Sequence, residues 1–314
     1  MANCDQLFKD YHEEISITSA KNNKMKTSKD RLRERIRKYF AEHHPEYLPQ
    51  FYIQGSNKMK IGIRTKDDIC DLDDGVYFFR DPDVTATTLQ GWIWDAVDGY
   101  TTTTPEHRKK CIRNIFANDY EIDMPVYYKI DGKAYQLAVK NVGWESSDSK
   151  ALVDWFKKQK DKDGKLIRDI KYLKGWCDEK RNKMPSGLAM CILASNAKAK
   201  IVLNDRDDIT LRDILKEIKK ELDFKFQCIV PAEPFDDLFK EYDKTRKDNF
   251  LSALQAFIDD ADNALKEDNQ LKASKLWRKH LGNRFPLGED INENAKILRS
   301  ASALGAAASM PWGL

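Results

Sequence analysis

The 314-residue chain contains no run of eighteen or more consecutive apolar residues, the length a membrane-spanning helix needs, so no membrane partner is expected. Its start, Met1-Ala2-Asn3-Cys4-Asp5, lacks the basic and then apolar pattern of a secretory leader, and a cytoplasmic location is expected. The six cysteines (Cys4, Cys70, Cys111, Cys177, Cys191 and Cys228) are scattered, and none forms a Cys-x-x-Cys pair. Neither a zinc site nor a disulfide framework is indicated. Charge of one sign is also lacking: 33 % of residues are charged, but the net charge is only +3. That is little for a protein whose affinity for a long nucleic acid would rest on many neutralised phosphates. The acidic stretch 67–74 lacks the glycine and closing glutamate of a calcium-binding EF-hand at their required offsets. What remains has ordinary globular composition, 41 % hydrophobic and 11 % aromatic, in one large or two intertwined domains.

Against that background the run Gln54-Gly55-Ser56 and the segment Asp71-Leu72-Asp73-Asp74-Gly75-Val76-Tyr77-Phe78 stand out. Phe51-Tyr52-Ile53 reads as a short strand leading into the Gly-Ser turn. Gly55 lets the backbone approach a phosphate without a Cβ in the way, and the following N–H groups and the Ser56 hydroxyl can donate to phosphate oxygens. In a strand, side chains two apart share a face. Asp71 and Asp73 therefore project together, while Leu72 and Asp74 point the other way. Paired carboxylates are hard oxygen ligands for Mg²⁺ or Mn²⁺. Two such ions about 3.5–4 Å apart can activate an attacking hydroxyl and stabilise a leaving oxygen. A third carboxylate is wanted from a neighbouring strand, and Glu121-Ile122-Asp123-Met124-Pro125-Val126-Tyr127-Tyr128 offers Asp123. A Gly-Ser dipeptide alone is an ordinary turn and an Asp-rich patch alone a solvated loop. The order of strand, Gly-Ser, acidic pair in an apolar strand and single later Asp gives the signal its weight.

Tyr52-Ile53-Gln54-Gly55-Ser56, Cys70-Asp71-Leu72-Asp73-Asp74-Gly75-Val76-Tyr77-Phe78 and Glu121-Ile122-Asp123-Met124-Pro125-Val126 resemble the cGAS/DncV-like nucleotidyltransferases of the polymerase-β superfamily. They are most similar to the bacterial enzymes that make cyclic oligonucleotide second messengers in anti-phage (CBASS) defence. Weaker likeness continues through Trp144–Ser149, Lys174-Gly175-Trp176, Pro185-Ser186-Gly187-Leu188 and Leu276–Pro286. The resemblance implies that Asp71, Asp73 and Asp123 form the catalytic, metal-binding triad. It implies that Gln54, Gly55 and Ser56 hold the donor phosphates, with Lys174 and Ser186 assisting from a helical lobe. Lys171, one turn from Lys174, is the alternative cation. An aromatic that stacks on the base often follows the Ser in this family, and Gly187 stands there instead. The zinc-bearing insertion with which animal cGAS engages DNA has no counterpart here, so activation by double-stranded DNA is not expected.

Along the chain, the first fifty residues read as helical, with Leu32, Ile36, Tyr39 and Phe40 at helical spacing in a basic segment and Thr27 or Ser28 as N-cap. The spacing predicts a helix over 87–97, a second from Pro105 through Phe116, and a strand over 134–139. Beyond about residue 147 the pattern turns helical, with helices around Leu152–Phe156, Leu166–Trp176, Leu188–Leu193, Leu211–Leu222 (capped at Thr210) and Asn249–Leu265. The expected fold is α+β, a polymerase-β-like nucleotidyltransferase lobe with a mixed β-sheet and a C-terminal helical bundle lobe. The lobes would span 1–147, with an N-terminal spine helix, and 148–299. A flexible tail, 300–314, would follow, on which a regulatory protein from the same operon could act. The expected activity is joining of NTPs, ATP foremost, with two Mg²⁺ or Mn²⁺ ions, into a cyclic di- or trinucleotide messenger. The alternatives are a linear template-independent polymerase or adenylyltransferase and a catalytically silent nucleotide-binding regulator.

Overall fold

A computed structural model of the chain describes residues 1–292 apart from positions 118 and 182; the expected tail, 300–314, lies outside the described residues. Two helices open the chain, α1 (Asp5–Ile15) and α2 (Ser19–His43). In α2 the buried residues Met25, Leu32, Ile36 and Phe40 form one apolar stripe laid on the sheet. The helix begins two turns before the expected caps: Thr18, in extended backbone, accepts from the Lys21 N–H, whereas Thr27 and Ser28 lie inside the helix. The buried Met25 belongs to the same stripe, so packing extends the helix backwards through a polar sequence.

The sheet comprises β1 (Gln50–Gln54), β2 (Cys70–Phe78), β3 (Glu106–His107), β4 (Ile112–Phe116), β5 (Tyr120–Met124), β6 (Val126–Tyr128), β7 (Gln136–Val139) and β8 (Gly143–Ser146). β1 runs antiparallel to β2 on one side. On the other side β5 and β6 run parallel to β2 in succession, separated by Pro125, which has no N–H to give a ladder. β4 pairs with β5, and β7 with β6, extending the sheet in the order β3-β4-β5-β2-β6-β7-β8. A short helix α3 (Gly55–Met59) follows β1, and α4 (Ala86–Val97) packs beside α2.

The helix expected from Pro105 to Phe116 is instead the β3–β4 hairpin. Ile112 and Asn114 are buried against the core while Ile112 to Phe116 pair residue for residue with β5, and this long-range ladder overrides the local helical spacing. The described residues after β8 are mostly helical: α5 (Ser149–Gln159), α6 (Lys165–Lys180), α7 (Gly187–Lys198), α8 (Asp207–Phe224), α9 (Lys244–Lys266) and α10 (Gln270–Leu281). α8 begins at Asp207, one turn before the expected cap; Thr210 is buried within it and donates to the carbonyls of Asn204 and Arg206. The architecture is the expected α+β one, a mixed sheet backed by helices with a helical bundle beside it. Among the described residues, the two larger apolar cores do not divide at the sheet–helix transition. Phe8, Tyr11 and Ile15 of α1, with Met59, Ile61 and Ile63 after the Gly-Ser turn, lie in the core of the helical half around Trp176, Phe257 and Trp277.

Candidate active site

Strand β2 sorts its acids by face. Leu72 and Asp74 turn inward, and Asp74, wholly buried, is gripped by the Arg33 guanidinium of α2, whose Nε lies 2.7 Å from its carboxylate. Removing one partner of such a buried pair typically costs about 3–5 kcal/mol. Asp71 and Asp73 face the other way, partly accessible. The parallel register with β5 sets Asp71 beside Glu121 and Asp73 beside Asp123, so four carboxylates occupy adjacent places on one face.

Two cations meet this patch. Arg113 of β4 is the register partner of Asp123 and donates to both of its carboxylate oxygens, from Nε and Nη2 at 2.7 Å each, while its Nη1 pairs with Glu121. Burial opposes the charge on Arg113, but Asp123 and Glu121 outweigh it and hold its pKa above the usual value. From the helical side Lys174 of α6 donates to the Ile61 carbonyl at 2.9 Å. Burial pulls its pKa down, and attraction to Asp71 and Asp73 opposes that. The carboxylates outnumber the cations, and Asp73 registers it. Burial, then repulsion from Asp71 and Asp123, pushes its pKa up to about 7 despite Lys174 and Arg113. Arg113 and Glu121 went unrecognised in the sequence. Glu121 stands two residues before Asp123, the spacing that singled out Asp71 and Asp73; Arg113 was hidden by the helical reading of its segment.

The Gly-Ser turn abuts these acids. Gly55 holds φ +58°, and a Cβ there would overlap the Asp73 carboxylate and lie 2.9 Å from its carbon. The Ser56 hydroxyl oxygen is buried without a hydrogen-bond partner, an uncompensated group suited to a ligand oxygen. Gln54 is used differently: its Nε2 donates to the Tyr127 hydroxyl at 3.0 Å, and its Oε1 accepts from the Tyr77 and Ser149 hydroxyls at 2.8 Å. Its side chain therefore ties the turn to β2, β6 and α5. It also borders a cavity of about 670 Å³ between β1 and α5 that none of the four carboxylates lines.

Ser186 caps α7, its hydroxyl accepting from the Ala189 N–H at 3.2 Å. Beside it, a Cβ on Gly187 would approach Lys174 Cε to 2.8 Å, so the glycine makes room for the lysine where the family pattern has an aromatic. Lys171 turns towards α1 instead, donating to Ser16 Oγ at 2.8 Å, and burial followed by repulsion from Lys174 lowers its pKa to about 8. Lys174 is thus the lysine that faces the acids.

Among the described residues, no three acidic, histidine or cysteine side chains already converge as metal ligands. Arg113 holds both oxygens of Asp123. The donor chemistry nevertheless suits Mg²⁺ or Mn²⁺: all-oxygen, anionic, and short of positive charge at Asp73.

Residues 49–127, from the start of β1 into β6, match the family model of the cyclic GMP-AMP synthase DncV-like nucleotidyltransferase domain. The chain carries a DncV-like nucleotidyltransferase domain. A cyclic GMP-AMP synthase of Escherichia albertii is 29 % identical over 191 residues, a match that covers 55 % of this chain and 43 % of that protein, so less than half of the relative's length is spanned. The apo form of Vibrio cholerae DncV superposes with a TM-score of 0.80 over 90 % of this chain and 96 % of its own, at 18 % identity. Escherichia coli DncV bound to 3′-deoxy GTP gives 0.76 over 87 % and 93 %, also at 18 % identity. At that identity the superpositions show a shared fold, and they extend it from the DncV-like domain across the helical half.

Proposed function

We propose that the protein is a metal-dependent nucleotidyltransferase that joins two or three NTPs into a cyclic messenger for anti-phage signalling. The observation that carries the reading is the β2–β5 register, which sets Asp73 beside Asp123 and Asp71 two residues back on the same face, with Gly55 against Asp73 and the unpartnered Ser56 hydroxyl next in the chain. Asp71, Asp73 and Asp123 would hold two Mg²⁺ or Mn²⁺ ions, which supply a lowered pKa for the attacking ribose hydroxyl and charge stabilisation at the α-phosphate. The chain's own contribution is positioning and fixed charge. Backbone N–H groups after Gly55 and the Ser56 hydroxyl bind the donor triphosphate, Lys174 covers it from the helical half, and Ser186 holds the start of α7 beside Lys174. A catalytic lobe of residues 1–147 would meet a helical lobe of 148–299 across this cleft. A Vibrio cholerae DncV of like fold has been seen with the linear intermediate 5′-pppA(3′,5′)pG, which supports a two-step route through a linear product.

The test is incubation of the purified protein with all four NTPs and Mg²⁺ or Mn²⁺, with mass spectrometry of phosphatase-resistant products, beside an Asp71→Ala/Asp73→Ala protein. A resistant cyclic species made only by the parent is expected. Linear, phosphatase-sensitive chains would move the assignment to a polymerase, and equal yields from both proteins would remove the acidic pair from the chemistry.

A further inference from the structure

Asp123 is not available as it stands. Both of its carboxylate oxygens are taken by one guanidinium in a bidentate pair, the strongest geometry such a pair adopts. Asp71 and Asp73 carry no such clamp; no ion pair holds either among the described residues. The clamp is also placed to open. Arg113 and Asp123 are 17 % and 14 % exposed in their side chains, so neither is sealed from solvent. Glu121, two residues back on the same face, is already the second partner of Arg113. The guanidinium can therefore transfer its weight to Glu121 without losing its countercharge.

Resting on the reading of Asp71, Asp73 and Asp123 as metal ligands, we infer that Arg113 is a positioning residue that occupies the place of a metal ion at Asp123 and must yield to Glu121 before the metal set closes. The guanidinium fills one lone-pair site on each carboxylate oxygen, and its charge opposes a dication at the same spot. The clamp keeps the third acid aimed between turnovers, and it makes metal binding conditional on a side-chain exchange. Glu121 is the parking place that keeps this exchange inexpensive.

The test is Mn²⁺ binding to the full chain without nucleotide, followed by the electron paramagnetic resonance signal of free Mn²⁺. Removing the clamp in Arg113→Gln should tighten binding by about tenfold or more, the scale of close charge-pair couplings. Arg113→Lys separates the clamp from the field. It keeps the positive charge but cannot grip two oxygens, so the clamp predicts binding tightened by roughly threefold, whereas a field effect predicts none. Glu121→Gln, which removes the parking place, should weaken binding. Parent-like affinity in Arg113→Lys, or no tightening in Arg113→Gln, overturns the inference; if the Gln variant does not melt cooperatively, the Lys variant decides. Cyclic product with unchanged Mn²⁺ affinity in Arg113→Lys would overturn this inference alone. Absence of Mn²⁺ binding by the parent and by Arg113→Gln alike would overturn it together with the metal-dependent function.

Discussion

Replacing Gly55 by Ala adds one carbon and two hydrogens where the Gly-Ser turn touches Asp73. Two costs follow from the structure. The backbone at φ +58° is left-handed, which costs a non-glycine residue about 1–2 kcal/mol. The new Cβ also overlaps the Asp73 carboxylate, and displacing that side chain from its rotamer costs about 0.5–1.5 kcal/mol. Together these amount to roughly 1.5–3.5 kcal/mol, a melting-temperature drop of about 3–14 °C at the roughly 2–4 °C per kcal/mol of large domains. The chemistry should suffer more than the fold, because a shift of about 1 Å at a catalytic group can cost roughly a hundredfold in rate. Thermal melts and product yields of Gly55→Ala check both. Adding Asp73→Ala to Gly55→Ala removes the overlap and should return its share of the stability, leaving the backbone cost, a coupling that a double-mutant cycle reads directly. A Gly55→Ala protein within twofold of parent activity and about 1 °C of its melting temperature would refute the argument.

Lys174→Met should raise the KM for NTP by about tenfold, the loss expected when a charge-assisted phosphate contact disappears. Lys171→Met, which removes a buried charge directed at α1, should leave KM unchanged and raise the melting temperature; steady-state rates against NTP concentration separate the two lysines. For His12, burial first, then Lys171 and Arg168, push the pKa down to about 4. The unfolded chain, with an ordinary histidine pKa near 6.5, takes up a proton that the folded one refuses. Stability should therefore fall as pH drops from about 6.5 towards 4, and His12→Gln should flatten that part of the melting profile.

The acids of β2 were legible because they break an apolar strand at spacing two, a pattern that costs energy unless a ligand or partner repays it. Their face assignment followed from the strand period, and Asp74 indeed turns from Asp71 and Asp73 to Arg33. The helices after residue 147 were legible from their apolar stripes, which are strong and local. Arg113 was not legible, because Pro105, the charged block Arg108-Lys109-Lys110 and the Ile112/Ile115/Phe116 spacing imitate a helix. Only the ladder to β5 makes that segment a strand, and a ladder between β4 and β5 is a property of pairing rather than of either segment. The use of Gln54 was hidden for the same reason: its three partners, Tyr77, Tyr127 and Ser149, come from three separate elements. The early start of α2 follows from packing at Met25 that no local capping signal announces.

The mixed membership of the helical half's core limits how such a chain can be recombined. α1 packs on α6 and α8, and the residues soon after the Gly-Ser turn, Met59, Ile61 and Ile63, are sunk among the helices. The stretch that begins by touching Asp73 ends as part of the bundle. A hybrid made by joining one relative's first 147 residues to another's remainder would pair a foreign α1 and a foreign turn flank with a core shaped for neither. The natural unit of exchange is discontinuous, the bundle together with α1 and residues 59–63. Drift in the bundle is thereby yoked to the geometry of the Gly-Ser turn, so the two halves are expected to diversify as one inheritance.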